Sequence, residues 1–120
     1  MWGLTYNGSV SVNVLSGSNT VVAATTSSIL QMNTWTHITQ TFSSANGNRL
    51  YINGALVATV SSPNGTAVGP YIFIGASPTG TSLCNIGMIA AGQFYGSVDE
   101  LRVFGRELTT VDICRLAYPR

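Results

Sequence analysis

Apolar and polar positions alternate along most of the chain with the two-residue period of extended strands, each run closed by Gly, Asn, Ser or Pro. Trp2–Tyr6 ends at Asn7-Gly8. In Val10–Leu15, Val10, Val12 and Val14 interleave with Ser9, Ser11 and Asn13. Gly17-Ser18-Asn19 interrupts the pattern, Thr20–Thr26 resumes it, and Ser27–Asn33 reads as a connection. Trp35–Phe42 places Ile38, Gln40 and Phe42 on one face and Trp35, His37, Thr39 and Thr41 on the other, because strand side chains alternate. After the Ser43–Asn48 turn, Arg49–Ile52 and Ala55–Val60 flank Asn53-Gly54. Both residues tolerate the positive φ of a type I′ turn, so the spacing predicts a two-residue hairpin. Pro70–Gly75 has the continuous apolar run of a buried strand, and Ala76–Gly92 reads as a long surface loop.

Gln93–Phe104 is predicted as the last strand. Phe94 and Val98 share one phase, Leu101 and Val103 the other, so a bulge is expected near Asp99–Glu100. Glu107–Ala117 is the one helical pattern. Thr109 followed by Asp112 forms a capping box with Asp in place of Glu. Ile113, Cys114 and Ala117 would face the strands, and Pro119 ends the helix. The fold class that follows is all-β: an antiparallel β-sandwich with one short C-terminal helix.

Composition narrows the role. The 120 residues suffice for one domain, and 45% of them are hydrophobic, so a real core is available. Only 8% are charged, against about 25% in ordinary soluble domains. There is no lysine, and the first 48 residues carry no charged side chain. A net charge of +1 with scattered arginines excludes a nucleic-acid footprint. A surface of hydroxyls and amides points to an extracellular protein, glycosylated or self-associating. No apolar run approaches the ~20 residues of a membrane-spanning helix. The Met1 end has neither the basic start nor the apolar stretch of a signal peptide, so a secreted form would begin after its leader or inside a longer chain.

The segments NTWTHITQTF, NRLYINGALVATV, YIFIG and FYGSVDELRVFGRELTTVDI together resemble the laminin-G-like, concanavalin A-like jelly-roll family. The matching elements are Trp35-Thr36-His37-Ile38, Leu50–Gly54, Ile72–Gly75, Gly96–Phe104 and Leu108–Ile113, in family order over roughly residues 33–117. Gln40 departs from the family, which usually has an apolar residue there. The resemblance implies a jelly roll that lacks the strands its relatives carry before Trp2. Residues 1–120 would then be the C-terminal two thirds of one domain. The unpaired edges would be filled by a larger parent chain or by self-association, a compact variant of about eight strands being the third alternative.

The chemistry on offer is sparse. His37 is the only imidazole and has no carboxylate near it in sequence, so it reads as a structural strand residue or part of a binding surface. The four carboxylates are Asp99, Glu100, Glu107 and Asp112. They form none of the alternating Glu-x-Asp-x-Glu pattern that the family's β-glucan hydrolases use to aim two carboxyls at one cleft, so no catalytic residue and no enzyme is expected. No cofactor is expected either. Two cysteines and one histidine do not make a tetrahedral zinc site, and Asp99 is a weak calcium candidate that could instead cap turn amides or pair with Arg102 or Arg106. Cys84 and Cys114 are read as a disulfide, two buried thiols being the alternative. The bridge would close a loop of about 30 residues and contribute ~3–4 kcal/mol. Tyr51 and Tyr95, opposite in phase to Ile52 and Phe94, are the expected exposed aromatics for a ligand, with His37 beside them. Trp2, Trp35, Tyr6 and Tyr71 could also serve, with core packing the preferred reading for most of them. The sequons at Asn7 and Asn64 lie in turns open to glycosylation, at the frequency composition alone would give. The expected function is a non-enzymatic extracellular module for recognition or adhesion, its partner a glycan or an extracellular protein. The alternative is a structural subunit of a fibre or sheath, assembling by strand pairing between chains.

Overall fold

The computed structural model describes residues 1–18, 20–61, 74–75, 88–90 and 92–119. Six strands and one helix lie within them: β1 (Trp2–Leu4), β2 (Ser9–Leu15), β3 (Val21–Ile29), β4 (Ile38–Ser43), β5 (Gly47–Ile52), β6 (Ala55–Val60) and α1 (Thr110–Ala117). They form two three-stranded antiparallel sheets in chain order, β1-β2-β3 and β4-β5-β6. The expected strand Pro70–Gly75 falls mostly outside the described residues.

The hairpin at Asn53-Gly54 forms as its sequence predicts. Ile52 pairs with Ala55, and the two turn residues have φ of 48° and 78°. Gly54 lies against α1, where a Cβ would make ordinary contact 3.4 Å from the Cβ of Ala117, so its positive φ is what favours glycine. Gly47, at φ 71°, closes the β4–β5 turn. A Cβ on it would lie 2.2 Å from the carbonyl oxygen of Val60. The ladder slips between Leu50 and Tyr51, leaving Val57 as an extra residue on β6.

The strands alternate as their sequences require. Val10, Val12 and Ala24 of the first sheet meet Leu50 of the second, with Ile38, Ile52, Ala58 and Val60 around them. At about 25 cal/mol per Å² of apolar surface, this layer is the main source of stability. Gln40 faces it too, and its polarity is accommodated: Gln40 Nε2 donates to Asn48 Oδ1 at 2.9 Å. Asn48 is wholly buried and donates from Nδ2 to the Val12 and Val22 carbonyls at 2.8 and 3.2 Å. An amide bridge thus links the two sheets through an otherwise apolar layer. The opposite face of the second sheet carries α1, where Tyr51, Leu108 and Ile113 are buried together and Leu116 packs beside them.

The helix starts as predicted. Asp112 N–H donates to Thr109 Oγ1 at 3.2 Å, and Thr109 N–H donates to Asp112 Oδ2 at 3.1 Å. Ile113 faces the sheet, whereas Cys114 is exposed.

The expected last strand does not form. Residues 94–104 carry no strand structure and are exposed throughout. Glu100 has φ 54°, and without a ladder the bulge expected near Asp99–Glu100 does not arise. A strand needs a partner to bond its amides, and none of the six described strands pairs with this segment.

Candidate functional site

A groove of about 600 Å³ opens between the β1–β2 turn and β3. Among the described residues it is lined by Thr5, Tyr6, Asn7, Thr25, Thr26 and Met88. The turn that builds it closes when Gly8 N–H donates to the Thr5 carbonyl at 2.9 Å, with Gly8 at φ 86°. The Thr5 hydroxyl is locked, accepting from the Ser9 amide at 3.1 Å and donating to Asn7 Oδ1. Thr26 Oγ1 takes the Val10 amide at 3.0 Å, and Thr25 Oγ1 shares a 2.9 Å bond with Ser11 Oγ. The far wall is fixed by Ala90 N–H donating to the Leu4 carbonyl at 2.8 Å.

These bonds fix the threonine hydroxyls and leave the Tyr6 side chain 85% exposed. The Asn7 carboxamide oxygen is taken by Thr5, while its Nδ2 donates to none of the described residues. No charged residue is among the lining residues. The arrangement offers an aromatic face, amide N–H donors and fixed hydroxyls, which suits an uncharged polyhydroxylated ligand better than an ionic one.

The residues singled out from sequence do not gather at this groove. Tyr51 is corrected outright: it is 2% exposed and lies under α1. Its phase is outward, as alternation requires, but the outer face of its sheet is covered by the helix. Tyr95 is 90% exposed on the 94–104 segment. His37 is half-buried just before β4. Its backbone N–H donates to Asn53 Oδ1 at 2.9 Å, and its Nδ1 lies 3.5 Å from Thr39 Oγ1. Burial lowers the pKa of its imidazole. His37 therefore anchors the Asn53 turn to β4.

The carboxylates are each engaged locally. Asp99 accepts the Glu100 amide at 2.8 Å, Glu100 pairs with Arg102, and Glu107 accepts from Asn46 Nδ2 at 2.8 Å. Asp112 receives Arg106 at 3.0 Å, and with the helix cap this lowers its pKa to about 2. Among the described residues no three His, Cys, Asp or Glu side chains come together as a metal site. Cys114 stands exposed as a free cysteine and Cys84 lies outside the described residues, so the expected bridge has no support from this end. Asn7 sits in the exposed β1–β2 turn, while Asn64 is outside the described residues. Among the described residues no helix is long and apolar enough to cross a membrane.

Residues 1–114 match the model of a family described as the concanavalin A-like lectin/glucanases superfamily, laminin G type. The chain belongs to this superfamily. A 2.1 Å crystal structure of an S-layer domain-containing protein from Clostridium thermocellum is similar to it. The two share 25% identity and a TM-score of 0.62, over 92% of this chain and 52% of the other. This laminin-G-like chain therefore spans about half the length of that solved relative. No curated protein matches it.

Sequence reasoning weighed Tyr6 among the aromatics but missed the rest of the groove. Thr5, Asn7, Thr25, Thr26 and Met88 come from three separated stretches, and no local pattern joins them. The only local signal was an aromatic placed immediately before an Asn-Gly turn, where a core residue is out of place.

Proposed function

We propose that this domain is a non-enzymatic, extracellular recognition module that binds a neutral saccharide in the groove at Tyr6. The observation that carries the reading is the exposed Tyr6 ring set beside locked Thr5, Thr25 and Thr26 hydroxyls and the Asn7 amide, with no charge in the lining. Stacking on an aromatic face and hydrogen bonds to amides and hydroxyls are the forces available there. Membership in a superfamily of lectins and glucanases supports sugar as the ligand class. The local engagement of all four carboxylates argues against the glucanase branch, which needs two of them facing one cleft. The S-layer neighbour supports an extracellular setting. Asn7 belongs to the groove, so a glycan attached to its sequon would fill the site; the binding reading takes Asn7 as unmodified.

A glycan array probed with the protein and with Tyr6→Ala tests this. Neutral glycans retained by the first and lost by the second are expected. Equal retention, or binding confined to acidic glycans, would overturn the reading.

A second reading, a structural subunit of an extracellular assembly, is favoured by one specific feature. The 94–104 segment exposes Phe94, Val98, Leu101, Val103 and Phe104 together. Exposed apolar patches of this kind mark association surfaces.

A further inference from the structure

The 94–104 segment has the side-chain pattern of a strand covered on both faces, yet it forms no ladder. Leu101 and Val103 alternate against Val98 and Phe104, all exposed. Same-side neighbours two residues apart already touch: the Phe94 ring lies where a Cβ on Gly96 would stand, at 2.6 Å, and Glu100 pairs with Arg102. By its sequence alternation this segment has side chains for two faces and, among the described residues, no partner strand from Tyr95 to Phe104.

We propose that a second copy of this chain supplies the partner, the two ribbons pairing antiparallel about a two-fold axis at Leu101. The inference rests on the assembly reading and gives it a register. A two-fold perpendicular to an antiparallel pair sets some residue opposite itself. Charge then narrows the choice, and only the axis at Leu101 pairs Glu100 with Arg102. An axis at Asp99, Glu100 or Arg102 opposes identical charges, and an axis at Val103 sets Asp99 against Glu107. An axis at Leu101 places Glu100 opposite the second copy's Arg102 and Val98 opposite its Phe104, each pair occurring twice by symmetry. Opposite charges and apolar pairs directly across a ladder stabilise it, whereas like charges oppose it. Glu100, at φ 54°, relaxes to the extended conformation as its amide enters the ladder. The occupant is thus another copy, because at Leu101 the segment meets itself with Glu100 and Arg102 matched twice, at the cost of Asp99 facing Val103.

Sedimentation equilibrium and cysteine crosslinking test the proposal. The intact chain is expected to sediment at twice its 12.6 kDa mass. Leu101→Cys should form a 101–101 disulfide under mild oxidation, identified by peptide mapping so that Cys84 and Cys114 are told apart, and Val103→Cys should not. Glu100→Arg and Arg102→Glu should each weaken association at least tenfold, and the double exchange should restore it. Circular dichroism of each variant separates lost association from lost folding. A monomer at the highest accessible concentration would overturn both the proposal and the assembly reading. Association with no 101–101 crosslink, or with no rescue by the double exchange, would overturn the register and leave the assembly reading standing.

Discussion

Asn48 is the residue on which the two sheets agree. Its Nδ2 serves the Val12 and Val22 carbonyls and its Oδ1 takes Gln40, with Asn48 itself wholly buried. Replacing it leaves buried acceptors unpaired, and that desolvation penalty exceeds the modest net worth of the bonds themselves. Asn48→Ala is expected to cost about 2–3 kcal/mol in urea unfolding, and Asn48→Asp more, because a carboxylate cannot donate. Gln40→Leu by itself should cost less, since Asn48 keeps its two carbonyls. Gln40 stood out in sequence only as a departure from the family. Its partner was invisible there, because the contact joins β4 to β5 across eight residues and depends on which way each strand faces. Tyr51 was misjudged for a related reason: alternation gave its face correctly, but whether that face is wet depends on where α1 docks.

At the scale of elements, what is legible in sequence is what local chemistry decides. The Asn53-Gly54 turn and the Thr109–Asp112 cap follow from residues that need no distant partner, and both form as predicted. The cap carries a pH dependence whose sign is fixed. The Asp112 pKa is lowered from 3.8 to about 2, chiefly by Arg106 and then by Thr109. A lowered carboxylate pKa contributes stability above the unfolded value, and that contribution is lost as pH falls from 3.8 through about 2. Following the Asp112 carboxyl by NMR should therefore give a midpoint near 2. In Arg106→Ala it should move back toward 3.8. Thr109→Ala removes the N-cap acceptor and should cost about 1 kcal/mol in thermal unfolding. The Gln93–Phe104 segment was not legible in this way. Its alternation is visible, but becoming a strand requires a neighbour, and no rule internal to the segment supplies one.

At the scale of the molecule, two small sheets share one apolar layer, a helix covers one outer face, and the turn at Tyr6 stands clear of both cores. Fixed hydroxyls and one exposed aromatic ring make that groove the place where a neutral ligand gains contact without disturbing the fold. The most direct measurement is an amide NMR titration of the isotope-labelled protein with the neutral oligosaccharides retained on the array. Shifts confined to Thr5–Gly8, Thr25, Thr26 and Met88, and absent in Tyr6→Ala, are the predicted result. Saturable shifts centred instead on His37 and Thr39 or on the 94–104 ribbon, with the Tyr6 turn unmoved, would contradict it.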